Sequence, residues 1–275
     1  MKKQQIGFIG GGNMASSLIG GLVSNDYPAD KITVADLDAD KLACLSDTFG
    51  IKTTMDTHAL ASKVDIIVLA VKPQHMQVVA ETISPAVQQK KPVIVSIAAG
   101  IRVDALERWL GDSLAVVRCM PNTPALVKTG ATGLYANAQV NDSEKDQVES
   151  LLRAVGVTVW VNSEQDLDVV TALSGSGPAY FFLMMEALEA AAVDAGLDQK
   201  TAQLLTQETA LGAAKMALAS SESAAVLRER VTSPGGTTER ALGVMEARGL
   251  KDIYQAAVLA ARDRSVELSD ELGAS

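Results

Sequence analysis

The 275-residue chain is short of most residues that would mark a special environment. Its two cysteines, Cys44 and Cys119, lie far apart and form no C-x-x-C spacing, which excludes a disulfide framework and suits buried thiols in a reducing cytosol. Its two histidines, His58 and His75, sit in no ligand-type cluster, so no metal is expected. No basic block interrupts a net charge of -9, which argues against nucleic acid as a partner. No uncharged run is long enough to cross a bilayer. The basic start, Lys2 and Lys3, leads into a short apolar run that ends in glycines, so it reads as a first strand and not a signal peptide. Aromatic residues make up only 4% of the chain, so its 48% hydrophobic content is chiefly aliphatic. Repeats and low-complexity linkers are absent too. A globular, cytoplasmic protein with room for two ordinary domains is expected.

What is present begins at Ile6. The run Ile6 to Ile9 meets Gly10, Gly11 and Gly12 and passes through Asn13 and Met14 into a helical stretch that ends near Ser24. Gly10, Gly12 and Ala15 fill the G-x-G-x-x-G/A pattern of a dinucleotide-binding turn. Gly10 permits the tight turn, and a side chain at Gly12 would block a pyrophosphate from the backbone. Ala15 lets helix and strand pack closely. The helix start then offers free N–H groups and a positive dipole end to an anion.

Up to Val161, short Val- and Ile-rich runs alternate with helical ones. Ile32–Ala35, Ile66–Val71, Val93–Ile97 and Leu114–Val117 read as strands buried on both faces. Helices are expected at Asn13–Ser24, Asp38–Phe49, Gln74–Ile83 and Val103–Leu110. This alternation predicts a Rossmann-type, doubly wound parallel α/β sheet. Gly133–Ala136 and Val157–Val161, flanking a polar helix at Asp142–Ala154, should extend one edge. From residue 163 onward only alanine-rich helices are expected, at Pro178–Ala195, Gln199–Ala219 and Leu250–Leu272, the last solvated in its later part. Pro178–Ala195 is apolar almost all round, too much so for a small monomeric domain, which favours helices that intertwine with a second subunit. The expected division is a dinucleotide-binding domain at 1–162 and an all-α dimerisation and substrate-binding domain at 163–275.

In such a sheet ligands collect beyond the strand ends. After the second strand, Asp36 is placed to accept from the adenosine ribose hydroxyls, which favours NADH, while Asp38 caps the next helix. Ala70, Val71, Lys72 and Pro73 follow the next strand, with Pro73 set to start a helix and Lys72 near the cofactor's face. Ala98, Ala99 and Gly100 are small enough to let a flat ring approach the backbone. Asn122, between Pro121 and Pro124, is aimed at a ligand or merely shapes a connection. Two later turns place glycines and hydroxyls before helices, Ser174–Pro178 and Ser233–Thr238. Capping explains one hydroxyl in each, but not Gly235 and Gly236 beside Thr237 and Thr238, so the second turn is the candidate substrate site. These loops hold no Ser-His-Asp set and no paired carboxylates, so the cofactor should carry the hard step while the protein positions.

Taken together, these motifs resemble the pyrroline-5-carboxylate reductase family over nearly the whole chain. The carriers are Gly-Phe-Ile-Gly-Gly-Gly-Asn-Met-Ala from Gly7, Ala-Val-Lys-Pro at 70–73, Ser-Ile-Ala-Ala-Gly at 96–100, Met-Pro-Asn-Thr-Pro at 120–124, Ser-Gly-Ser-Gly-Pro-Ala-Tyr at 174–180 and Ser-Pro-Gly-Gly-Thr-Thr at 233–238. The first is shared with many nucleotide-binding families, whereas the last, followed by Glu239, Ala241 and Leu242, is specific to this one. The resemblance implies reduction of 1-pyrroline-5-carboxylate to L-proline by NADPH or NADH, in a homodimer whose active site is completed by the partner's helices. Rings of dimers, up to a decamer, also occur in the family, and nothing in the sequence decides between them. It further implies that Ser233, Gly235, Gly236, Thr237 and Thr238 bind the substrate carboxylate through backbone N–H groups. The Thr238 hydroxyl would face the ring nitrogen as the catalytic group. Ile9, Gly10 to Met14, Asp36, Ala70 to Pro73, Ala98 to Gly100 and Asn122 would hold the cofactor. Asp36 departs from the small polar residue of NADPH-preferring members, and NADH is expected to serve at least comparably. A β-hydroxyacid dehydrogenase would need a catalytic lysine in the second domain, where Lys215 alone lies well inside a helix and without the glycine-rich approach. A cofactor-sensing protein would not need Thr237 and Thr238.

Overall fold

The computed structural model of the chain describes residues 3–273, so Lys2 lies outside it. In chain order the first elements are β1 (Ile6–Ile9), α1 (Asn13–Ser24), β2 (Ile32–Ala35), α2 (Ala39–Phe49), β3 (Lys52–Thr54), α3 (Thr57–Ala61) and β4 (Ile66–Leu69). Then come α4 (Met76–Lys90), β5 (Val93–Ser96), α5 (Val103–Leu110), β6 (Val116–Met120), β7 (Gly130–Ala136), α6 (Asp142–Leu152) and β8 (Gly156–Trp160). The remainder is helical: α7 (Asp166–Val170), a π-helical turn (Thr171–Gly175), α8 (Gly177–Asp194), α9 (Gln199–Ala219), α10 (Ala224–Arg230), α11 (Thr237–Ala247) and α12 (Leu250–Gly273). Among the described residues no helix is long and apolar enough to cross a membrane.

The strands form one sheet in the order β3-β2-β1-β4-β5-β6-β7-β8. The first six are parallel in the 3-2-1-4-5-6 order of a dinucleotide-binding fold, with the reversal of direction in strand order between β1 and β4. β1, β4 and β5 are buried along their whole length, as strands covered by helices on both faces must be. Phe8, Leu18, Ile19, Val68 and Val95 pack one side of the sheet; Ile67, Leu69, Met76, Ile83 and Leu106 pack the other.

Several boundaries differ from the sequence reading. β3 and α3 were not expected: β3 reads Lys-Thr-Thr, with no apolar run, because it is an edge strand paired only with β2. α4 runs past Ile83 and through Pro85 to Lys90, since Ile83, Ala86 and Val87 are buried against neighbours and outweigh the lost backbone bond. β6 begins and ends later than Leu114–Val117, and includes the buried Arg118, whose charge hides the strand in the sequence. β7 starts at Gly130 and runs antiparallel to β6, with β8 parallel to β7, so the expected edge extension is present but reversed.

The chain divides into two compact units: one up to Ser176 together with the stretch from Ala260, the other Gly177–Leu259. The first compact unit therefore reaches past residue 162, because Leu167 of α7 is fully buried and Val170 packs where a side chain on Gly133 would sit. The later part of α12 is solvated on one side only. Arg264 pairs there with Glu267 and Glu271, while Ser265 and Ser269 are buried and the Ser265 hydroxyl donates to Asp168 Oδ1 at 2.7 Å. In the second unit α8 leaves Phe181, Phe182 and Leu183 at least 60% exposed, apolar surface that a single chain does not cover.

Candidate active site

The glycine turn is built by the strands around it. Gly10 has φ +98°, its N–H donates to the Ala35 carbonyl at 2.8 Å, and a Cβ there would lie 2.6 Å from the Ala70 carbonyl oxygen. Gly10 is thus required by the fold itself, at the crossover between β1, β2 and β4. Gly12 is different. It is the N-cap of α1 with ordinary φ, no side chain caps the helix, and a Cβ there would meet nothing within 4 Å. Its missing side chain answers no need inside the protein, and it leaves open space over the unbonded N–H groups of Asn13, Met14 and Ala15. A pyrophosphate fits that space and that dipole.

Asp36 sits at the end of β2, directly beside this turn. Its Oδ2 accepts the Gly11 N–H at 2.7 Å and its Oδ1 the Asp38 N–H at 3.1 Å. Lys41, in the first turn of α2, reaches Oδ2 at 3.2 Å and Oδ1 at 3.4 Å. Partial burial pushes the Asp36 carboxyl up, but the Gly11 and Asp38 N–H groups and the Lys41 ammonium pull it down further, below the usual carboxylate range. Asp38 caps α2 by accepting the Lys41 N–H at 3.0 Å, as its spacing suggested. The sequence reading missed Lys41; a cation five residues after the acid at the end of β2 was the available signal.

The other loops divide by what holds them. Pro73 opens a 3-10 turn, Pro73–His75, ahead of α4, and Lys72 at its N-cap is exposed. Gly100 has φ +75°, and a Cβ there would come within 2.9 Å of Leu272 of α12, so packing alone accounts for this glycine; Ala99 is the exposed member of its trio. Asn122 is nearly buried, with Oδ1 accepting the Ala131 N–H and Nδ2 donating to the Ser174 carbonyl, both at 2.9 Å. Its amide therefore fastens β7 to the π-helical turn, and it shapes the loop near the strand end. Glu164, also unforeseen, accepts from the Val103 N–H at 2.8 Å and pairs with buried Arg118 at 2.9 Å.

In the second unit the Ser233–Thr238 turn is exposed and held by its own atoms. The Gly235 N–H donates to Glu239 Oε2 at 2.7 Å and the Gly236 N–H to the Ser233 carbonyl at 2.9 Å. Gly235 has φ +71°, and a Cβ on Gly236 would clash with the Ser233 carbonyl, so both glycines serve the turn. Gly236 is the N-cap of α11 and no side chain caps the helix. The groups left for an anion are the first-turn N–H groups of Thr237, Thr238 and Glu239, a narrower set than the whole turn.

Comparison with known proteins matches this layout. Residues 164–268 match a family described as pyrroline-5-carboxylate reductase dimerisation, and residues 5–100 one described as NADP oxidoreductase, coenzyme F420-dependent. The pyrroline-5-carboxylate reductase of Pseudomonas aeruginosa is 49% identical over 99% of this chain and 100% of its own length. The chain belongs to the pyrroline-5-carboxylate reductase family. The enzyme of the same name from Escherichia coli is 38% identical over 99% of the chain and all of its own. A solved pyrroline-5-carboxylate reductase from Coxiella burnetii superposes with a TM-score of 0.94 at 46% identity, covering 98% of this chain and 99% of that one. One from Plasmodium falciparum, solved with NADP bound, has a TM-score of 0.85 at 30% identity, covering 98% and 99%. Membership bears out the expected fold class, a Rossmann-type unit followed by helices of a dimerisation family. It also bears out the expected reaction class, an NAD(P)H-dependent oxidoreductase for the last step of proline biosynthesis, and a homo-oligomeric state.

Proposed function

We propose that the chain reduces 1-pyrroline-5-carboxylate to L-proline with the residues of two turns, one in each unit. The observation that carries the reading is the pairing of an open, uncapped helix start at Gly12 with an equally uncapped one at Gly236. The first suits a dinucleotide pyrophosphate and the second a small carboxylate. When bound, the nicotinamide cofactor supplies the hydride. Gly12, Asn13 and Met14 take the pyrophosphate, Asp36 takes the adenosine ribose, and Ala70 to Pro73 with Ala99 border the rest. Thr237, Thr238 and Glu239 hold the substrate carboxylate through their N–H groups. A protonated cyclic imine is already electrophilic, so alignment supplies most of the acceleration, at best roughly 7–11 kcal/mol for ideal orientation. The Thr238 hydroxyl accepts a hydrogen bond from the protonated ring nitrogen and orients it, and hydride addition at the imine carbon then gives the neutral amine with no further proton transfer.

The proposal includes a homodimer in the cytoplasm whose second-unit turn is offered by a partner subunit; a decamer built of dimers is another outcome of the same measurement. It also includes the functional division at 1–162 and 163–275, and use of NADH at least comparable with NADPH because a carboxylate at Asp36 disfavours a 2′-phosphate. Cofactor oxidation with 1-pyrroline-5-carboxylate, run with NADH and NADPH side by side, tests both parts. No oxidation with either cofactor overturns the reaction, and a large NADPH advantage in kcat/KM overturns the cofactor reading. Sedimentation of the active enzyme fixes the assembly.

A further inference from the structure

We propose that Lys41 sets which cofactor the enzyme accepts: its ammonium occupies Asp36 against the adenosine ribose, and a 2′-phosphate draws it away. The inference rests on the reading that Asp36 faces that ribose.

An ionised carboxylate has about four acceptor positions. Those of Asp36 are all filled, two by the Gly11 and Asp38 N–H groups and two by Lys41. The backbone bonds belong to the glycine turn and to the entry of α2, and breaking them would distort both. The Lys41 bonds are the exchangeable ones. They are longer, at 3.2 and 3.4 Å, and the lysine side chain is 40% exposed while that of Asp36 is 14% exposed. A ribose hydroxyl can therefore reach Asp36 only by taking a position that Lys41 holds.

The displaced ammonium has few places to go. The lysine stem lies along the glycine turn, where a Cβ on Gly11 would stand 3.3 Å from Lys41 Cδ. Its other anion is Asp38, 4.0 Å away with a 53% exposed side chain, a pairing of little worth in water. With a bare 2′-hydroxyl the lysine exchanges a good partner for a poor one. With a 2′-phosphate it gains a dianion within its tether, and the same charge offsets the repulsion that Asp36 and Asp38 exert on that phosphate. A lysine suits this exchange because a point charge on a flexible stem makes no demand for planar geometry. The acid and the base thus divide the two cofactors between them.

The test uses the adenosine halves of the cofactors, 2′,5′-ADP and 5′-ADP, so binding is read without hydride transfer. Affinities by calorimetry for the wild type, K41M, K41R and D36N are set beside kcat/KM for NADPH and NADH. In K41M the ratio of 2′,5′-ADP to 5′-ADP affinity should fall about tenfold or more, the loss of one charge-assisted bond, and its dependence on salt should flatten. K41R should restore most of the ratio. D36N should weaken 5′-ADP and raise the ratio. If K41M, still folded by its melting temperature, moves both nucleotides by the same factor or neither, the role of Lys41 is overturned while Asp36 stands. If D36N leaves 5′-ADP binding untouched, the ribose reading fails, and the Lys41 proposal fails with it.

Discussion

The two turns of this enzyme use glycine in opposite settings. The turn at Gly10–Ala15 lies between β1 and β4, both buried along their length, and the Ala70 carbonyl leaves no room for a side chain at Gly10. The turn at Ser233–Thr238 is exposed and closed by its own bonds to Glu239 and Ser233, in a unit that leaves Phe181, Phe182 and Leu183 uncovered. The first unit completes a core from its own chain. The second holds a turn closed by its own hydrogen bonds on helices whose apolar faces a single chain leaves uncovered. Precision in the first comes from packing and from hydrogen bonds to the neighbouring strand end, and in the second from hydrogen bonds within the turn itself, so damage to each should take a different form.

The largest effect should come from removing the second unit's partner. The double change Phe182→Glu and Leu183→Glu should give a monomer by sedimentation, with nearly all turnover lost; a folded, fully active monomer would break the contrast. Next, Gly10→Ala forces a side chain into φ +98° against a carbonyl and should cost at least about 2 kcal/mol in chemical denaturation, with cofactor binding impaired. Thr238→Ala should lower kcat about 10- to 100-fold, the value of one lost hydrogen bond at the reacting nitrogen, without moving the melting temperature. A cofactor sensor would show no such loss. Ser265→Ala removes the donor to buried Asp168 and should destabilise the first unit by about 1–3 kcal/mol in urea, since an acceptor is left short inside the protein.

The smallest effect is a pH dependence at the first turn. Asp36 is depressed in the folded state, so its contribution is present above the unfolded carboxylate value of about 3.9 and is lost as pH falls through the lower folded value. The urea midpoint of the wild type should exceed that of Asp36→Asn at neutral pH, and the gap should close as the medium is taken below about pH 4. A gap that persists unchanged in acid would show that the Asp36 bonds to Gly11 and Lys41 matter through shape and not charge.

Much of this was legible because periodicity reports burial. The continuous apolar runs at Ile6, Ile66 and Val93 could only be strands covered on both faces, and the glycines between Ile9 and Asn13 could only be a tight turn into a helix. Elements that owe their form to a neighbour were not legible. β3 has no apolar pattern, and β6 carries Arg118, neutralised by Glu164 from 46 residues away. Pro85 sits inside a helix that tertiary contacts sustain.

The candidate site divides in the same way. The sequence by itself determined the fold class, the dinucleotide turn, the cap at Asp38 and, through its motifs, the family and the reaction, because these depend on local backbone chemistry and residue spacing. Tertiary structure decided which groups are free to act. It showed that Asn122 is occupied in fastening a loop, that Gly100 makes room for Leu272, and that the N–H groups of Gly235 and Gly236 are already bonded. It also placed Lys41 on Asp36. A hydrogen bond or a steric contact between distant residues exists only once the chain has brought them together, and no spacing in the sequence records it.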